Sequence, residues 1–253
     1  MNDVLSWLTA SAHWTGEDGI PQRLLEHLYY SGVALLIAAV IAIPLGLFVG
    51  HTGRGRFVVV NAAGAARAVP SLGLLFVSVL VLGPRLTGDT AFVVPCEIVL
   101  VVLAIPPILA GAYAGVEEVD PAVRDAAKGM GMRGPEVLAR VEIPCALPLI
   151  FSGLRSGALQ VVATATIAAT VGLGGLGRFL IDGLAVRDYS QMAAGAVLVA
   201  VLALVVDLGF ALIQRYAVSP GLTGRIGTRL GAERNEALDP SVTSADTRES
   251  GRA

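Results

Sequence analysis

The residues of this chain that could do chemistry are few and far apart. Asp207, Arg155, Arg67 and Glu97 are ionisable groups set inside long apolar stretches. Charge in such a stretch is costly enough to mark a functional or pairing role. Asp207 admits two readings: part of a path for a cation, or structural glue paired with an arginine or a neighbouring helix N-terminus. A proton relay generally needs a chain of acids, and only Glu97 and Asp207 are candidates, on different stretches. Thr164, Thr166 and Thr170 stand among alanines and could line a polar path. Equally they could pack helices together, as small and hydroxylated residues such as Asn61, Ser71, Ser78 and Gln160 commonly do in membranes. Pro70 and the pair Pro106-Pro107 remove backbone donors within apolar stretches and are expected to kink them, as a moving gate or as a static bend.

Other chemistries are excluded. His13, His27 and His51 are scattered, with no H-E-x-x-H or i, i+4 pairing, so no metal site is expected. There are no paired acids and no nucleophile–base set, so no catalytic residue is named and the chain does not read as an enzyme. The phosphate loop G-x-x-x-x-G-K-[ST] is missing, and Lys128 is the single lysine. The glycine-rich run at 172–177 follows an apolar stretch and carries no lysine. It is read as an irregular turn or gate element, since glycine tolerates unusual dihedrals. No cofactor is expected on this chain, and any energy must come from another polypeptide. Cys96 and Cys145 fall near opposite ends of their stretches, too far apart for a disulfide.

The elements that must position these residues follow from composition. The chain has 253 residues, 55% hydrophobic and 15% charged, with mean hydropathy +0.72. Soluble domains carry about a quarter charged residues, so a polytopic, all-α membrane protein is indicated. A net charge of -2 argues against nucleic acid as a partner. Roughly 20 apolar residues cross a bilayer, and five stretches qualify, at 28–50, 57–82, 91–116, 147–173 and 192–216. Arginine and lysine accumulate in cytoplasmic loops. Twelve lie on the side shared by the 51–56 turn, the 117–148 loop and the C-terminal tail, against four on the other side. The N-terminus is therefore expected outside and the C-terminus in the cytoplasm. Residues 1–23 form an extracytoplasmic segment, either an interfacial helix around residues 4–14 or an unstructured tail. Residues 218–253 are polar and too poor in apolar side chains to build a core.

The most informative segment is the 117–148 loop. Asp120 before Pro121 is a helix start, and a short amphipathic helix is expected to about Lys128. Gly129, Gly131 and Gly134 break it, Pro135 starts a second short helix to about Val141, and Pro144 and Pro148 close the unit. A capped loop of this length is usually functional, and a helical hairpin projecting from a bundle suits docking into a groove on a soluble partner.

This loop resembles the EAA loop of ABC-importer permeases, whose pattern is E-A-A, three residues, G, nine residues, I-x-L-P. Here Asp125-Ala126-Ala127 is followed by Gly131 and then by Val141-Glu142-Ile143-Pro144, with the spacing kept. Asp125, Val141 and Ile143 stand where the pattern has Glu, Ile and Leu. Softer matches are similar to the glycine betaine/carnitine/choline branch: Ala68-Val69-Pro70-Ser71-Leu72, Val119-Asp120-Pro121-Ala122, Gly129-Met130-Gly131-Met132, residues 172–177 and Asp188-Tyr189-Ser190. The resemblance spans residues 24–216 and implies a type I importer fold of about five spans, in a transmembrane domain at 24–217. It implies a permease for an osmoprotectant, with another small solute such as an amino acid as the alternative and a self-sufficient secondary transporter as a poorer one. The implied partners are cytoplasmic ATPase subunits carrying ATP and magnesium, a second permease subunit, identical or not, and an external binding protein. It assigns ATPase coupling to Asp125, Ala126, Ala127, Gly131, Val141, Ile143 and Pro144. Pro70, Ser71, Thr164, Thr166, Thr170 and Asp207 are the candidates for path or gate. With only 6% aromatic residues and no cluster that could cage a quaternary ammonium, high-affinity capture is expected on the binding protein.

Overall fold

The computed structural model describes residues 2–57, 59, 61, 64 and 69–218. Every regular element among them is helical. We number the helices α1 (Asn2–Thr9), α2 (Ile20–Thr52), α3 (Ser71–Leu82), α4 (Thr90–Glu117), α5 (Pro121–Gly129), α6 (Gly134–Val171), α7 (Gly177–Val186) and α8 (Tyr189–Ala217). Four of them, α2, α4, α6 and α8, are long and apolar enough to cross a membrane, and α3 with the turn after it is a shorter apolar helix.

These helices are long because start and stop signals stand at the ends of apolar runs, while the prolines inside them, Pro44 in α2 and Pro148 in α6 among them, do not end them. Pro21 sits in the first turn of α2, where no intrahelical donor is lost. The helix stops at Gly53, whose φ of 70° is left-handed and whose N–H returns to the Val49 carbonyl at 2.8 Å. Its 33 residues span about 50 Å at about 1.5 Å per residue, against about 30 Å of hydrocarbon. Both ends therefore project beyond the expected 28–50 stretch. At the start of α8, Asp188 Oδ1 accepts the N–H groups of Ser190 at 3.0 Å and Gln191 at 3.1 Å.

The centre of the bundle is α4, packed against α2 along one side and α6 along the other. Small residues let the backbones meet. A Cβ on Gly111 of α4 would stand 2.6 Å from the Leu149 carbonyl oxygen and 2.7 Å from the Gly153 Cα of α6. This is the close crossing expected where membrane helices are held by packing. Ala34, Ala38, Val99, Leu100, Ala104, Ile108, Val161 and Ala165 fill the layer around it. By contrast α8 exposes Leu204, Val205 and Leu208 and is the least covered of the four long helices.

One open alternative is resolved and three expectations change. The N-terminal segment is helical: α1 is followed by a 3₁₀ turn (Ser11–Trp14), and Trp7 is buried edge-on against Phe179 of α7 while stacking on His13 at 3.9 Å. Pro70 does not bend a continuous helix. It has φ -64° and ψ 106° and is the boundary residue from which α3 starts, consistent with a residue that has no N–H to donate to a preceding turn. Residues 58, 60, 62, 63 and 65–68 of that stretch, with Arg67 and Ala68, lie outside the described residues, as do 219–253 of the tail. The second short loop helix and the fourth span are one helix, running through a π-turn (Leu138–Glu142) into the span. Finally, the glycine run is followed by a ten-residue helix, α7, where only a loop was expected. Pro95, Pro106 and Pro107 lie inside α4, which runs through them without a break.

Candidate functional site

The 117–148 loop lies at the end of the bundle that holds Thr52, Glu117 and the start of α6. Its first helix forms for local reasons. Asp120 Oδ1 accepts the Ala122 N–H at 2.9 Å, and Pro121 occupies the first turn. The helix ends in a turn at Gly131, whose φ is 87°. The next helix is started by Glu136, whose Oε2 accepts the Arg133 N–H at 2.9 Å.

The face presented by α5 is small and mixed. Asp125 is 77% exposed, and Ala126, Val123 and Met130 also face outward. Ala127 does not join them: it is 2% exposed and seats α5 on the chain's own body. Gly131 faces open space, with nothing within 4 Å of where a Cβ would sit. Val141 and Ile143 are half-buried, and Pro144 is exposed. Pro144 offers no N–H to the carbonyl of Arg140, and the wider turn just before it accommodates the loss: the Ile143 N–H bonds back to Leu138.

Beneath that face lies a charged cluster. Glu142, in the π-turn, is 2% exposed. Its Oε2 accepts from His51 Nδ1 of α2 at 2.6 Å, and its Oε1 pairs with Arg124 Nε of α5 at 2.9 Å. Arg124 Nη2 also donates to the Val116 carbonyl in the last turn of α4. Four helices thus meet through one carboxylate and one guanidinium. Removing either partner from a buried ion pair costs about 3–5 kcal/mol, because the remaining charge is stranded. Nearby, Arg56 pairs with Glu117 at 3.0 Å on the surface.

At the opposite end the glycine run turns sharply. Gly172 and Gly175 have φ of 101° and 91°, which β-carbons disfavour. The Gly175 N–H donates to Glu26 Oε2 at 2.8 Å, and that oxygen also accepts from Arg23 Nη1 at 2.9 Å. Arg23 reaches Asp18 as well. His27, 1% exposed, contacts the Val162 carbonyl through Nε2 at 3.2 Å.

The polar groups inside the spans divide by their partners. Asp207 of α8 forms a two-pronged pair with Arg155 of α6, through both carboxylate oxygens. Each threonine hydroxyl donates to its own helix: Thr164 to Gln160 at 2.8 Å, Thr166 to Val162 at 3.0 Å and Thr170 to Ile167 at 2.8 Å. Thr164 is buried, Thr166 half-buried and Thr170 exposed, so the three do not share one surface. Ser71 is half-buried in the first turn of α3. Glu97 of α4 differs: both of its carboxylate oxygens are buried and have no hydrogen-bond partner among the described residues.

Several of these residues escaped the sequence reading. His51 stood alone, Arg124 counted only as a loop charge, and Glu142 filled the variable position between Val141 and Ile143. His51 and Glu142 are 91 residues apart, and such a pairing has no local signature. The one available hint was an acid placed just ahead of an apolar span.

The chain is similar to known proteins over most of its length. The family of binding-protein-dependent transport system inner membrane components matches residues 42–218. The chain is 32% identical, over 88% of its length and 98% of the relative's, to the glycine betaine/carnitine/choline transport system permease protein OpuCB of Bacillus subtilis. It is 31% identical, over 72% of its length and 84% of the relative's, to the osmoprotectant import permease protein OsmW of Salmonella typhimurium. Among solved structures, the fold is similar to a chain of the inward-facing MetNI methionine ABC transporter, with TM-score 0.65 and 21% identity over 79% of this chain and 96% of that one. A second is an amino acid ABC transporter crystallised with histidines, with TM-score 0.64 and 19% identity over 84% and 98% of the two chains.

Proposed function

This chain belongs to the family of binding-protein-dependent transport system inner membrane components, and we propose that it forms the translocation path of an ATP-driven importer for a compatible solute of the glycine betaine, carnitine or choline type. It is a multi-pass membrane permease subunit. The observation that carries the coupling half of the reading is the seating of α5, a nine-residue helix with an exposed face. It is tied through Arg124 to Glu142 of α6 and to the Val116 carbonyl of α4, and Glu142 in turn holds His51 of α2. A partner that pushes on Asp125, Ala126 and Met130 pushes on the bundle. The solute class rests on the relatives named above.

In this reading the Thr52 end is cytoplasmic, the N-terminus is outside and the C-terminus inside, in line with the arginine excess at that end. Two ATPase subunits bind ATP and magnesium and dock on the 117–148 loop, with Asp125, Ala126, Gly131, Val141, Ile143 and Pro144 at or beside the contact and Ala127 beneath it. The nucleotide and magnesium are assigned to the ATPase subunits. A second permease subunit completes the path, and an external binding protein delivers the solute. Pro70 and Ser71 stand at the start of α3, and Thr164, Thr166 and Thr170 lie along α6 as candidates to line the path.

Reconstitution tests the reading. The chain is placed in liposomes with its candidate ATPase and binding-protein partners, and ATP hydrolysis is followed while betaine, carnitine, choline or proline is added. Stimulation by one or more of them is the expected result; stimulation by none would remove the osmoprotectant assignment. Ala126→Trp, on the exposed face, is expected to block capture of the ATPase while the chain still inserts. Undiminished capture would sink the docking face.

A further inference from the structure

Glu142 stands where three helices must agree on their positions. We propose that it is a positioning residue, a buried clamp whose two carboxylate oxygens hold α5 and α2 in fixed register so that movement of α5 is passed to the bundle. The inference rests on the reading of α5 as the ATPase seat, but its geometry is independent of that reading. Oε1 lies 2.9 Å from Arg124 Nε, an ion pair by distance in which that buried N–H makes no hydrogen bond, and Oε2 faces His51 Nδ1 at 2.6 Å. Burial to 2% exposure removes the water that would otherwise satisfy or screen the charge.

The remaining attachments of α5 are slight. The helix is nine residues long, it has one fully buried side chain, Ala127, and it is bounded by the Asp120 turn and by Gly131 with φ 87°. A short helix between two turns, seated on one methyl group, has little apolar area to fix its orientation. The ion pair supplies the direction. Arg124 extends the clamp to the Val116 carbonyl of α4. The π-turn matters here because it carries Glu142 on the wall shared with α2 while the helix continues into the span.

A carboxylate is required, because its two oxygens serve two cationic or donating partners at once. A neutral amide has one acceptor oxygen and cannot hold both. At position 51 the requirement is a donor at the place of Nδ1. Asparagine presents its amide nitrogen close to that place, and leucine presents nothing.

Two measurements test the clamp. In the full chain with Cys96 and Cys145 replaced by alanine, spin labels on Thr52→Cys and Met130→Cys report the distance between the end of α2 and the far end of α5. The parent and His51→Asn are expected to give one narrow distance distribution, and Glu142→Gln and His51→Leu a broad one. An unchanged distribution in Glu142→Gln would overturn the proposal. The second measurement compares glycine betaine moved with ATP hydrolysed in the assembled complex. Glu142→Gln and His51→Leu are expected to keep ATPase capture and hydrolysis within threefold of the parent while losing at least tenfold in solute moved per ATP, with His51→Asn restoring the ratio. A fall in assembled complex with no change in that ratio would make the cluster a fold-stabilising contact only, and would also overturn the proposal. If Met130→Cys cannot be cross-linked to the ATPase, the seat reading fails, whereas the distance measurement still decides the clamp.

Discussion

The two ends of α2 are fastened to the same neighbour, α6 and its flanking turns, by opposite means. At the Thr52 end the fastening is made of side chains: His51, Glu142 and Arg124 meet as charges or donors in a buried setting. At the Ile20 end the protein backbone does half of the work. Glu26 accepts a glycine N–H, His27 meets a carbonyl, and the turn at 172–177 approaches closely because four of its six residues are glycine. One end is therefore sensitive to the loss of a charge, the other to the gain of a carbon. A contact made by charges can be redirected by whatever moves Arg124, whereas a contact made by bare backbone has one geometry.

The largest effect expected from this difference is at Gly177. A Cβ there would run into the Thr166 carbonyl oxygen and stand 2.9 Å from Ala169 Cβ, in a helix-to-helix approach that cannot yield at a flexible tip. Gly177→Ala is expected to cost about 3 kcal/mol or more, at or beyond the upper end of ordinary overpacking. The check is the thermal unfolding midpoint of the purified chain in detergent. A midpoint within a degree or two of the parent would show that the Ile20 end is more plastic than its geometry implies.

The Arg155–Asp207 pair sharpens the comparison from the middle of the bundle. It joins α6 to α8 by charge, as the Thr52 end does, but its side chains are 40% and 27% exposed in this chain. If the pair is a structural tie, each member is harmful alone and dispensable together, since replacing an ion pair by apolar residues is often neutral. Asp207→Leu is expected to reduce uptake at least tenfold, and adding Arg155→Leu to return it to within threefold of the parent. A double variant as inactive as the single one would move Asp207 onto the cation path.

Much of the bundle was legible in composition. Runs such as those in α2, α4 and α8 are apolar for longer than any soluble core requires, and the start of α5 was announced by Asp120 and Pro121. Residues that punctuate a chain were harder to read, because they have more than one meaning. Pro144 looks like a stop, yet the wider turn before it tolerates it and the helix runs on into the span. Gly177 closes a glycine run and also begins α7, whose Arg178 and Asp182 form an i, i+4 pair at 2.6 Å. Ala127 shows the limit in the site itself. In this nine-residue helix Val123 and Ala126 were as good candidates for the hidden face as Ala127, and the position of Arg124 toward Glu142 decides that Ala127 faces inward.

The finest test of the two ends uses one substitution in two places. Gly131 and Gly175 have nearly the same φ, 87° and 91°, so alanine brings a positive-φ strain of about 1–2 kcal/mol to each. Their surroundings differ. Nothing lies within 4 Å of a Cβ on Gly131, whereas a Cβ on Gly175 would meet His27 Nδ1 at 3.0 Å and His27 Cβ at 3.1 Å. Gly131→Ala should therefore show the strain alone, and Gly131→Asn less than that, since asparagine visits this region more readily. Gly175→Ala should show the strain plus the displacement of a buried imidazole whose partner is the Val162 carbonyl. Unfolding midpoints measured side by side should fall in the order Gly131→Asn, Gly131→Ala, Gly175→Ala, from the smallest loss to the largest. Equal losses at the two alanine variants would mean that the dihedral angle, and not the crowding by α2, is what demands glycine at the Ile20 end.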